Sequence, residues 1–139
     1  MKSTKDNSTP DGEAILRGVL DRWKAAVDTH DPQRVASLFT EDAIFQGLRP
    51  YSVGRQGVAD YYASQPLGMT AAYRILETRR FADDDLADDD LADHDLVLGY
   101  SAVDFSFTDR PTVSVFLSTL VRHTSHGWNI CHYQVSRLG

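Results

Sequence analysis

The chain changes its hydrophobic period halfway along, and that change constrains its fold more than any other feature. In the first half, Ile15, Leu16, Val19, Leu20, Trp23, Ala26 and Val27 recur at three- and four-residue steps, the spacing of one helix face. Thr9 or Asp11 is placed to cap its start. Asp31-Pro32 then reads as an N-cap followed by a first helical position, where proline's missing N–H costs nothing. A short helix follows, with Val35, Leu38 and Phe39 inward. Thr40-Glu41-Asp42 reads as a turn into a short strand, Ala43 to Gln46, and 47–54 as a loop marked by Gly, Pro and Ser. A third helix is expected from Arg55 to Ser64, with Val58, Tyr61 and Tyr62 apolar. Beyond it the period becomes two. Ala71 to Phe81, Asp95 to Phe107, Thr112 to Arg122 and Trp128 to Arg137 read as four strands of a mostly antiparallel meander. Helices first and strands afterwards predict an α+β domain with its helices on one sheet face.

A chain of 139 residues suits one domain, expected over 11–139 behind a disordered polar tail at 1–10. No apolar run approaches the roughly 20 residues of a membrane span, and the N-terminus lacks the apolar core of a signal peptide, so a cytoplasmic protein is expected. Cys131 is the lone cysteine and falls in an apolar strand pattern, where an inert thiol is the simpler reading than a nucleophile. The net charge of −6 is local. Residues 83–95 hold eight Asp and no Lys or Arg; without them 12 acidic residues face 14 basic ones. No basic block suits nucleic acid or an anionic membrane. The acidic stretch is a five-residue repeat, Asp83-Asp84-Asp85-Leu86-Ala87 and its successors, and reads as an expanded loop between two strands. A calcium site is the alternative, but the loop lacks the Gly and closing Glu of an EF-hand.

Strand alternation puts Trp128, Ile130, His132, Gln134 and Ser136 on one face of the last strand. A polar pair on a face that starts Trp-Ile fits a pocket floor; a core or interface histidine fits equally. On the second long strand Leu96, Leu98, Tyr100, Ala102 and Asp104 share a face. Asp104 interrupts that apolar run and is a candidate general base if it borders the cavity of His132; a strand-end residue is the plainer reading. Trp23, Phe45, Tyr61, Tyr62, Tyr100 and Phe116 offer aromatic walls for an apolar guest, although core packing explains any one of them. Arg49, with Tyr51, sits where a loop would fringe the mouth and could hold an anionic substituent. His123 and His126 flank a turn without the further ligand that zinc needs. There is no nucleophile elbow, Gly-rich phosphate loop or Cys pair, so no cofactor or metal is expected.

Three segments carry a family likeness: Arg22-Trp23-Lys24-Ala25-Ala26 through Phe39-Thr40-Glu41-Asp42-Ala43, Gly54-Arg55-Gln56-Gly57-Val58-Ala59-Asp60-Tyr61-Tyr62, and Gly127-Trp128-Asn129-Ile130-Cys131-His132-Tyr133-Gln134-Val135-Ser136. Together they resemble the nuclear-transport-factor-two-like superfamily, in particular its SnoaL-like branch, which includes polyketide cyclases, ketosteroid isomerase and a kinase association domain. The resemblance implies a cystatin-like cone, a strongly curved sheet closed by three N-terminal helices around a pocket. It also implies a homodimer through the outer sheet face. Aligned with the isomerase, Trp23 stands where that family has an oxyanion-holding Tyr, Gly47 where it has its Asp base, and a position near Ser118 where it has a second acid. The cyclase pattern puts His at His132 and an Asp base at Gln134, and the association domain puts His and Ser at His132 and Ser136. Glycine has nothing to ionise, and an amide is no base near neutral pH. The expected function is therefore binding of a small hydrophobic or aromatic molecule, with Gln134 among the lining residues. An isomerase, cyclase or dehydratase using His132 with Asp104 is the first alternative, and a non-catalytic dimerisation domain the second.

Overall fold

The computed structural model describes residues 8–81 and 95–137. In chain order the elements are α1 (Ser8–Asp28), α2 (Pro32–Ser37), β1 (Phe39–Gln46), β2 (Ser52–Val53), α3 (Arg55–Ala63), β3 (Thr70–Phe81), β4 (Leu96–Ser106), β5 (Val113–Thr124) and β6 (Gly127–Arg137). The strands form one curved six-stranded sheet in the order β2-β1-β6-β5-β4-β3. Every neighbouring pair is antiparallel except β1 with β6, which run parallel. The α+β fold expected from the period change, and the curved, cone-shaped sheet implied by the family resemblance, are thus observed.

The helices form where the spacing asks for them. Leu16, Val19, Leu20, Trp23, Ala26 and Val27 are all buried along one face of α1. Asp31 caps α2, accepting from the Arg34 N–H at 3.2 Å, with Pro32 in the first turn. α1 begins at Ser8, inside the stretch read as a tail; residues 1–7 lie outside the described residues. The acidic repeat also lies outside them, as does its calcium alternative, except for Asp95. That residue is not loop-like: it is buried, and its carboxylate takes two hydrogen bonds from the Arg80 guanidinium at 3.0 and 2.6 Å.

Two strand readings need correction. β1 begins at Phe39, so Phe39 does not belong to the second helix and Thr40-Glu41-Asp42 is no turn. Its pairing with β6 jumps from Phe39↔Ile130 to Ile44↔His132. Three more residues are accommodated on β1 than on β6 across that jump, and this irregular stretch carries the charged residues that disguise the strand.

The second correction concerns faces. On the β5–β6 ladder the register shifts between Leu120↔His132 and Val121↔Ile130, leaving Cys131 as the extra residue. A bulge of one residue reverses the side-chain alternation beyond it. Ile130, Tyr133 and Val135 are therefore buried on the inner face, while His132, Gln134 and Ser136 share the outer face with their cross-strand partners Leu120, Ser118 and Phe116. The inference that Ile130 and His132 share a face fails for this reason.

Candidate functional site

The inside of the cone is built from aromatic rings. α1 supplies Trp23, β1 supplies Phe39 and Phe45, α3 supplies Tyr61 and Tyr62, β4 supplies Phe105 and β6 supplies Tyr133. Phe45 stacks on Tyr133 with centroids 4.7 Å apart, and Trp23 meets Phe105 edge-on at 6.0 Å. Among the expected lining residues, Trp23, Phe45, Tyr61 and Tyr62 are thus brought together. Phe39, Phe105 and Tyr133 are the members that sequence reading did not place in the lining, Tyr133 because it was assigned to the opposite face.

A chain of hydrogen bonds crosses this core. The Trp23 indole N–H donates to the Tyr62 hydroxyl at 3.1 Å, and the Tyr62 hydroxyl lies 3.1 Å from that of Tyr133. The three groups carry three protons but form only two bonds, since indole donates and never accepts. Whichever way the hydroxyls turn, one proton in this buried trio has no acceptor among the described residues. Burial pushes the pKa of both phenols up, Tyr133 well above its ordinary value. They are neutral donors near neutral pH, not acids or bases. Two more hydroxyls, those of Ser101 and Thr119, are buried on the inner sheet face without hydrogen-bond partners among the described residues.

One end of the cone opens at a cavity of about 30 Å³, walled by Leu48, Tyr61, Gln65 and Met69 on one side and by Phe105, Phe107 and Val113 on the other. That volume holds about one water molecule. Two larger hollows of about 400 and 360 Å³ lie at the other end and share Arg55, His126 and Asn129. They are polar surface grooves. Arg55 already donates to the Phe39 carbonyl at 2.8 Å, and the nearby Glu41 and Asp42 carboxylates offset Arg55 and Arg122.

The remaining expected site residues stand elsewhere. Asp104 is exposed on the outer face and accepts from the Ser114 hydroxyl at 2.6 Å. His132 pairs with Leu120, six residues along β5 from Ser114, which separates Asp104 from His132 by about 20 Å. The structure does not bring this acid/base pair together. Tyr100 and Phe116, expected as cavity walls, stack on each other on the outer face at 5.3 Å. Gln134 is exposed on that face, and Arg49 is exposed on its loop. His123 packs edge-on against Trp128 at 5.0 Å. Burial pushes the Cys131 thiol up, and its Sγ donates to the Leu120 carbonyl, as expected of an unreactive cysteine.

On the outer face, register lines up Ile44, His132, Leu120 and Leu98 as one row across four strands. Ile44 and Leu98 are exposed there, and so is Tyr100 in the next row. Charged β3 residues, Arg74, Glu77 and Arg79, border the patch. No helix among the described residues is long and apolar enough to cross a membrane.

Comparison with known proteins agrees with this architecture. The model of the SnoaL-like domain family matches residues 16–138. No curated protein matches the sequence. A ketosteroid isomerase-like protein from Erwinia carotovora atroseptica superposes with a TM-score of 0.69 at 22% identity, covering 91% of this chain and 95% of its own. A cystatin-like-fold domain from Nostoc punctiforme gives 0.71 at 16% identity, over 99% of this chain and 80% of its own. A candidate calcium/calmodulin-dependent protein kinase II association domain from Xanthomonas campestris gives 0.68 at 17%, over 88% and 85%. At these identities the likeness of the solved structures speaks for the fold alone. The family match spans nearly the whole chain, and the chain belongs to the SnoaL-like domain family, a branch of the nuclear-transport-factor-two-like superfamily.

Proposed function

We propose that this domain is a binding protein for a small, flat apolar molecule that carries one acceptor oxygen, such as an aryl ketone or aldehyde. The observation that carries this reading is the surplus proton of the Trp23–Tyr62–Tyr133 chain. A buried donor without a partner is destabilising by about 1–3 kcal/mol, and a guest's oxygen reaching the trio would remove that penalty. The rings around the trio give the guest's body an apolar wall. Binding rather than turnover is favoured because the trio's groups stay neutral and, among the described residues, no carboxylate or imidazole hydrogen-bonds to them.

A thermal-shift comparison of acetophenone with ethylbenzene, its near-isostere without the oxygen, tests the reading. Acetophenone should raise the melting temperature by several degrees at millimolar concentration and ethylbenzene by much less. Equal shifts, or none from any aryl carbonyl, would sink it.

We also read the outer face as the contact between two copies in a homodimer. The exposed row of Ile44 and Leu98 with Tyr100 and Phe116 supports this, since apolar residues clustered on one face favour a covering partner. Sedimentation equilibrium at micromolar protein should return twice the monomer mass.

A further inference from the structure

We infer that Tyr61 is a ring-shaped door between the mouth cavity and the donor trio, and that its seat on Gly47 sets the size of guest the cone admits. The inference rests on the binding function proposed above and names the residue that controls it. The mouth cavity is about 30 Å³, too small for any guest with a ring. Two of its walls stand between it and the trio. Behind Tyr61 lies Tyr62, with centroids 5.1 Å apart, and behind Phe105 lies Trp23 at 6.0 Å.

The two walls are held differently. Phe105 is buried near the end of β4, where it is paired on both sides, with Ala71 and with Val113. Tyr61 is only partly buried and stands on the short helix α3. Its hydroxyl receives a single long hydrogen bond, 3.3 Å from the Leu48 N–H. Its phenol tip rests on Gly47, where a Cβ would lie within 2.6 Å of two ring carbons and the hydroxyl oxygen. Gly47 is thus the seat of the closed door. Its backbone has no left-handed torsion that would require glycine, so the missing side chain answers to the ring. Rotation of Tyr61 off this seat gives up one long hydrogen bond and its edge contacts with the Phe45 and Tyr62 rings, joins the mouth to the interior, and exposes the Tyr62 hydroxyl to an entering oxygen.

The test uses Trp23 as the reporter. The chain has two tryptophans, so a Trp128→Phe background leaves Trp23 alone to emit. In that background Tyr61→Ala removes the door and Gly47→Ala fills its seat. Each should raise acrylamide quenching of Trp23 at least about threefold, because access to a buried ring follows local opening. Tyr61→Phe, which keeps the ring, should stay near the parent. Gly47→Ala should also bind acetophenone about tenfold more tightly, because the closed population that competes with binding is lost. Unchanged quenching in both Tyr61→Ala and Gly47→Ala, with near-native circular dichroism, overturns the inference, as does quenching in Tyr61→Phe that equals Tyr61→Ala. If quenching rises as expected while acetophenone binds neither parent nor variant, the door stands and the proposed ligand class falls.

Discussion

The two faces of the sheet are made of similar residues and do opposite things. Inside, Phe45 stacks on Tyr133 and Phe105 meets Trp23 edge-on, and all four rings are buried. Outside, Tyr100 and Phe116 stack on each other with Tyr100 left 41% exposed. Composition does not separate these faces. What separates them is the cover: α1 and α3 lie over the inner face, and no described element lies over the outer one. A ring covered by helices contributes to stability, whereas a ring left open contributes chiefly when another molecule arrives.

That contrast is easily broken by experiment. Trp23→Ala should be the most damaging change, costing about 3–5 kcal/mol in urea unfolding, because it empties the centre of the inner face and removes a donor from the trio. A loss below that of Tyr100→Ala would refute the contrast outright. On the outer face, Tyr100→Asp should leave the unfolding of the monomer nearly unchanged but weaken the proposed dimer by at least about 2 kcal/mol, roughly thirtyfold, read by sedimentation. Alkaline pH sharpens the distinction. Burial raises the folded-state pKa of Tyr62 and Tyr133, so the folded protein keeps protons that the unfolded chain releases. Their contribution is constant below about pH 10 and falls above it by about 1.4 kcal/mol per pH unit for each tyrosine. Urea midpoints between about pH 9 and pH 11 should show this slope, and Tyr133→Phe should reduce it. The smallest effect belongs to Asp104→Asn, an exposed outer-face residue, which should shift stability by less than about 0.5 kcal/mol and leave acetophenone binding untouched.

How legible each face was in the sequence follows from the same physics. The helical period of α1 and the two-residue period of β3 to β5 named the elements directly, because each rests on local spacing. The candidate site rested on something less local. Asp104 with His132, and Gln134 as a lining residue, all depended on knowing which way the strands face. β6 hides its bulge in ordinary-looking residues. Its trace is a step of three where steps of two are expected: Trp128 and Ile130 have one parity, Tyr133 and Val135 the other, and all four are apolar. Taken as a change of parity, that step points to Tyr133 as the inward residue. Nothing comparable marks Tyr61 on Gly47, since that contact joins a helix to a loop and depends on the whole fold being assembled.

The parallel pairing of β1 with β6 has a consequence for how the chain is made. β6 is the last described element in chain order, yet it lies between β1 and β5 near the centre of the sheet. Until residue 137 clears the ribosome, β1 has no central partner and Tyr133 is missing from the ring cluster. The earlier elements must therefore wait, with their apolar faces uncovered, for a strand more than 80 residues downstream of β1. Such long-range closure is slow and keeps apolar surface open to aggregation meanwhile. A stop codon placed before β6 would yield a chain that no cellular helper could bring to the native state.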